Sequence, residues 1–186
     1  MNLVARAKAI LMTPKQEWAA IDAEPLNVSE LLVGYVLPLT AIGAIARFIG
    51  FSMIGAMGYR LPLGMGISMA VTSFVLSVIG VFVLAWVINA LAPTFGAVQS
   101  MPQATKLSAY SMTAAWVAGI FYILPFLAIV ALIGALYSLY LFFVGLPTLM
   151  KVPADKVVPY VVVIFVACVV VFWIIGMVVG RMSYMG

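Results

Sequence analysis

Residues 107–150 read LSAYSMTAAWVAGIFYILPFLAIVALIGALYSLYLFFVGLPTLM, 44 residues without one charged side chain. As a single α-helix they would extend roughly 66 Å, about twice the hydrocarbon thickness of a bilayer. The chain therefore has to turn back inside this run. Pro125, in YILPFLA, is the place for the turn, because proline fits the first turn of a new helix and is disfavoured in the interior of an old one. Two spans result, about 107–124 and 126–149. Past Tyr137 and Tyr140, one helical turn apart, Gly145 and Pro147 loosen the end of the second span, and Lys151, Asp155 and Lys156 follow. Such an abrupt change of character marks a helix leaving lipid for water.

Composition extends the conclusion to the whole chain. Of 186 residues, 67% are hydrophobic and 8% charged, against roughly a quarter charged in a soluble domain. A water-soluble globule is excluded. Further apolar runs predict spans at about 31–51, 66–92 and 157–179, the first entered through Asn27-Val28-Ser29-Glu30, where Asn27 can cap the helix. The expected fold is all-α, a polytopic membrane protein with a five-transmembrane-helix bundle over residues 29–186.

Residues 1–28 differ in kind. MNLVARAKAILM places Leu3, Val4, Ala7, Ile10 and Leu11 at helical spacing with Arg6 and Lys8 to the side, and its apolar runs are too short for a signal-peptide core. Thr13 has the form of an N-cap, with Pro14 at the first helical position and Gln16 three residues on. Two short amphipathic helices lying on the membrane, with Trp18 at headgroup depth, account for this pattern. The alternative is a surface helix packed on the protein's own loops.

The cations orient the chain. With the N-terminus in the cytosol, Arg6, Lys8, Lys15, Lys106, Lys151 and Lys156 face inward, while Arg47, Arg60 and Arg181 lie toward the outside. Six against three favours N-terminus in, C-terminus out. Aromatic residues gather accordingly: Trp18, Trp86, Tyr110, Tyr137, Tyr140 and Tyr160 toward the cytosolic interface, and Tyr59, Tyr122, Trp173 and Tyr184 toward the outer one. Trp116 falls near mid-span and is expected inside the bundle.

Several activities lack material. The basic residues are scattered through loops, which argues against nucleic acid as a partner. A single cysteine, Cys168, allows no intrachain disulfide, and without histidine no His/Cys zinc site can form. Glu17, Asp22, Glu24, Glu30 and Asp155 have no Ser/His or Cys/His partnership for nucleophilic chemistry, so no catalytic residue and no cofactor is expected. Some of these carboxylates could gather a surface cation, but a solvated polar face is the simpler reading.

Inside the membrane Arg47 is the one clear ionisable residue, near enough to the outer edge to snorkel. Ser73 and Ser77 in the second span, and Ser111 in the third, read as packing contacts between helices or, alternatively, as the lining of a solute path. Pro38 frees the carbonyl of Gly34 and should kink the first span beside Tyr35.

Four stretches resemble the Yip1 family in its bacterial branch: KLSAYSMTAAWVAGI (106–120), LYSLYLFFVGLPTLMKVPADK (136–156) and, more weakly, TPKQEW (13–18) and GYVLP (34–38). The resemblance implies a five-helix membrane domain with a cytosolic N-terminus. Eukaryotic members look like trafficking adaptors that bind Rab-type GTPases through a longer N-terminal region with an Asp-Leu-Tyr-Gly-Pro motif, which this chain lacks. The expected function is a non-catalytic membrane adaptor of the bacterial inner membrane. Its cytosolic face, carried by Arg6, Lys8, Lys15, Trp18, Lys106, Lys151 and Lys156, would meet a protein partner or anionic lipid. The alternative is a small-solute or ion transporter with a polar cavity near Arg47 and the second span.

Overall fold

The computed structural model describes residues 2–55 and 59–184, except for the side chains of Ile175 and residues 178–184. Among the described residues the chain is almost entirely helical. Helices α1 (Leu3–Met12) and α2 (Pro14–Ala23) form a hairpin. Asn2 caps α1, its Oδ1 accepting from the Ala5 N–H at 3.1 Å. Thr13 makes no side-chain cap to α2. Its hydroxyl donates backward to the Ala9 carbonyl at 3.1 Å and closes α1 instead. Pro14, having no N–H, removes part of the need for a cap.

A continuous helical rod, Val28–Ile54, follows. It comprises α3 (Val28–Leu31), a π-helical turn (Leu32–Val36), α4 (Leu37–Phe48) and a second π-helical turn (Ile49–Ile54). Asn27 caps it as expected, accepting from the Glu30 N–H at 3.1 Å. The first π turn is the form taken by the disturbance at Pro38. Proline has no N–H to offer the Gly34 carbonyl, and the ladder widens just upstream, where the Leu37 N–H donates to Leu32. Tyr35 and Val36 are thereby turned into the core.

Helix α5 (Leu63–Leu91) ends in a 3-10 turn, Ala92–Phe95, and Gly96 reverses the chain at φ 67°. Helices α8 (Ala128–Met150) and α9 (Val157–Tyr184) supply two further long segments. Among the described residues four helical stretches are long and apolar enough to cross a membrane: Val28–Ile54, Leu63–Phe95, Pro125–Met150 and Ala154–Ile174.

The span expected at 107–124 departs from expectation. In its place are α6 (Met101–Ser111), α7 (Thr113–Ala118) and a 3-10 turn, Gly119–Ile123. Every residue from Ala104 to Ser111 is buried, including Thr105, Lys106, Ser108 and Ser111. Helix α6 packs against both α5 and α8, so protein rather than lipid surrounds it. A helix so shielded has no need of an apolar surface. Near the break at Met112 the Ala115 N–H donates to Ser138 Oγ at 2.9 Å. The reversal expected at Pro125 is present: Leu124 is extended and Pro125–Leu127 starts the next helix.

Contacts define two ends. At one, the Val98 N–H donates to the Met150 carbonyl, and Asp22 receives both Gln103 and Lys151. At the other, Gly50 lies against Tyr122, where a Cβ would come within 2.0 Å of the Tyr122 carbonyl oxygen. Midway, Gly43 and Gly119 let two helical segments touch: a Cβ on Gly119 would sit 2.9 Å from the Gly43 Cα.

Candidate functional site

The N-terminal hairpin lies along α8 and supplies most of the charged end. Trp18 is fully buried. Its indole covers Gly145, where a Cβ would fall 2.5 to 2.8 Å from three ring atoms. Gly145 is thus the seat of Trp18 rather than only a loosening of the span. Toward the tip of the hairpin the Tyr137 hydroxyl donates to the Leu11 carbonyl at 2.8 Å. Toward its base Lys151 Nζ donates to Asp22 Oδ2 at 2.5 Å, and Gln103 Nε2 to Asp22 Oδ1 at 2.9 Å. Tyr137, Gly145 and Lys151 therefore hold Leu11, Trp18 and Asp22 in succession. The hairpin rests neither on a membrane surface by its apolar face nor on loops: Ile10, Trp18 and Ile21 are buried in the bundle core, against helices α7 and α8.

Lys106 was expected on an exposed face, and it is 4% exposed. Its ammonium donates to the carbonyls of Ile21 (2.7 Å) and Glu24 (2.8 Å), with Asp22 at 3.4 Å. These carbonyls lie at the C-terminal end of α2, where a helix has acceptors without internal partners and a partial negative charge.

Arg6 is also turned inward. Its guanidinium bridges Glu17 and Glu24, each at 2.5 Å, and lies over the Tyr110 ring at 5.8 Å. Desolvation acts to lower its pKa, but the bonds to Glu24 and Glu17 outweigh this and hold it above the ordinary value. A cleft of about 540 Å3 opens between α1, the 24–27 loop, α3 and α6, lined by Arg6, Glu17, Glu24, Glu30, Lys106 and Tyr110 among others. Lys8 and Lys15 are exposed on the hairpin, and Lys151 and Lys156 are exposed just past the end of α8. Among the described residues no group of three or more acidic or cysteine side chains is placed to hold a metal.

Beside the cleft floor a hydroxyl cluster is buried. Thr113 Oγ1 donates to the Tyr110 carbonyl at 2.6 Å, which leaves it to accept from the Tyr35 hydroxyl, also at 2.6 Å. The Tyr35 and Tyr110 rings meet edge to face, centroids 4.8 Å apart. Ser111 bonds back to the Ser108 carbonyl within its own helix. Trp116 lies inside the bundle, where its mid-span position predicts.

The remaining candidates lie apart. Arg47 is half-buried at the opposite end, stacked over Tyr122 at 4.4 Å. Ser73 bonds to the Ala70 carbonyl of its own helix, and Ser77 is half-buried. Gly34 meets no neighbour that a Cβ would touch, and Pro38 is exposed. Pro147 lies within α8, which continues to Met150. Trp86, Tyr140, Tyr59 and Trp173 are exposed on the outside of the bundle, whereas Tyr160 is buried with its hydroxyl bonded to the Ile88 carbonyl. Tyr184 and Arg181 have side chains outside the described residues. A second, apolar cleft of about 270 Å3 lies between α4 and α5. Neither cleft is lined by Arg47, Ser73 or Ser77.

Asp22, Gln103 and Ser138 do not stand out in the sequence as fastening points. Their partners are 23 to 129 residues distant, so no local spacing signals them.

The Yip1 domain matches residues 8–175 of this chain. Inner membrane protein YohC of Escherichia coli strain K12 is 26% identical over 151 residues, covering 77% of this chain and 77% of YohC. The protein of the same name from Escherichia coli O6:H1 matches equally. No solved structure matches.

Proposed function

The chain belongs to the Yip1 family, and from that premise we propose that it is a non-catalytic membrane adaptor acting through the charged end of its bundle. The observation that carries this reading is the construction of that end. A helical hairpin is fastened over α6 and α8 by the buried Lys106 on the last carbonyls of α2 and by a partly exposed Asp22–Lys151 pair, and Lys8, Lys15 and Lys156 are left exposed. These cations suit a protein surface of opposite charge or anionic lipid headgroups.

We read the bundle as crossing the membrane five times. Segment 101–123 begins beside Lys151, through Gln103 and their shared Asp22, and ends at Tyr122 against Arg47 and Gly50. Its 23 residues extend roughly 35 Å, enough to cross the hydrocarbon layer. The positive-inside bias places the hairpin in the cytosol and the C-terminus outside. The E. coli relative is called an inner membrane protein, which supports the bacterial inner membrane as the location of this chain.

The test is reciprocal pull-down from the native membrane after crosslinking. Charge reversal at Lys8, Lys15 and Lys156 together should leave the protein in the membrane and abolish recovery of its partner. Undiminished recovery sinks the reading. Solute flux through vesicles carrying the purified protein would favour transport instead.

A further inference from the structure

The α1–α2 hairpin is joined to the bundle that follows it through residues 24–27, and it reaches far along α8. Lys151, which meets Asp22, and Tyr137, which meets Leu11, are 14 residues apart, about 21 Å on a helix. On its way, α1 also packs against α7. The tip at Met12–Pro14 therefore lies far along α8 from Lys151, with Lys15 exposed beside it. The polar groups of the tip are met by protein: the Thr13 N–H and hydroxyl donate to the Ala9 carbonyl, Leu11 accepts from Tyr137, and Pro14 has no N–H to satisfy.

The hairpin's seating is incomplete. Trp18 Nε1 and Gln103 Oε1 are buried without a hydrogen-bond partner among the described residues, and both sit where the hairpin meets the bundle. A buried polar atom left without a partner is less favourable than the same atom in water. The cleft of about 540 Å3 beneath α1 leaves one flank of the hairpin unpacked. Much of what holds its base is polar: Lys106 on the last carbonyls of α2, and Lys151 and Gln103 on Asp22.

We propose that the hairpin is a removable stopper. Seated, it closes the groove beside α6, α7 and α8. Withdrawn about residues 24–27, it opens to water the Gly145 seat and the Tyr35–Thr113–Tyr110 cluster beside it, and Trp18 and Gln103 regain hydration. Lys106 is the catch, since its three bonds run to the hairpin end and the residue after it. The idea rests on the adaptor reading only in calling the outer space cytosol, because the motion belongs to the chain itself.

Full-length protein carrying Cys168→Ser would be spin-labelled at cysteines replacing Ala19, exposed on α2, and Val158, exposed at the start of α9. Pulsed electron paramagnetic resonance in lipid nanodiscs then reads the distance between them. The expected result is a dominant seated distance and a longer minor one. Lys106→Met, which removes the catch but keeps the volume, should enlarge the longer population about tenfold or more. Asp22→Asn, which weakens a partly exposed pair, should enlarge it about threefold. One unchanged distance in the parent, Lys106→Met and Asp22→Asn overturns the proposal. A stopper that moves while charge reversal at Lys8, Lys15 and Lys156 leaves partner recovery intact would remove the adaptor reading alone.

Discussion

Glycine at position 145 shows what single residues do here. The indole of Trp18 occupies the space a side chain would need, with ring atoms 2.5 to 2.8 Å from the missing Cβ. A buried aromatic ring cannot yield as the end of a flexible side chain can. Gly145→Ala is therefore expected to lower stability by about 1–3 kcal/mol, read as a lower melting midpoint of the purified protein in detergent. An unaltered midpoint would mean that Trp18 is not seated there. Lys106 teaches the complementary lesson. A lysine beside a long uncharged run reads as a topology signal, but three backbone carbonyls from a segment more than 80 residues earlier make it a helix cap. Nothing in the spacing of the sequence connects the two.

Among the elements, the segment 101–123 was the hardest to read. Pro125 marks its end, but its start is not visible: the uncharged run begins at Leu107, whereas α6 begins at Met101 and holds Lys106 inside it. Its division at Met112 and Gly119 is not visible either, because the break is supported by Ser138 from another helix. The first rod was more legible. Pro38 predicted a disturbance beside Tyr35, and the physics of the missing N–H accounts for the π turn found there. Close approach between these two elements depends on Gly43 and Gly119. Gly119→Leu should force them apart and destabilise the bundle by about 1–3 kcal/mol or more, seen as loss of the monodisperse peak in detergent at elevated temperature. Retention of that peak would argue against the contact.

On the scale of the whole molecule, the arrangement of ends makes a topological prediction. In the Cys168→Ser background, single cysteines at Val98 and Ala154 should react with a membrane-impermeant maleimide only from the cytosolic side. Cysteines at Leu61 and Leu124 should react only from the outside. Labelling of positions 98 and 124 from the same side would show that 101–123 does not cross, and the charged end would lose its assignment.

Hydropathy, run length and the distribution of lysine and arginine determined that this is a helical membrane protein and where its long segments begin and end, since the transfer of apolar helices into lipid depends on local composition. Only the tertiary structure decided that the N-terminal hairpin lies along α8, that Arg6, Trp18 and Lys106 are internal, and that a polar helix stands at the centre. Those outcomes rest on hydrogen bonds and close packing between residues far apart in the chain, and such pairings leave no periodicity in the sequence to read.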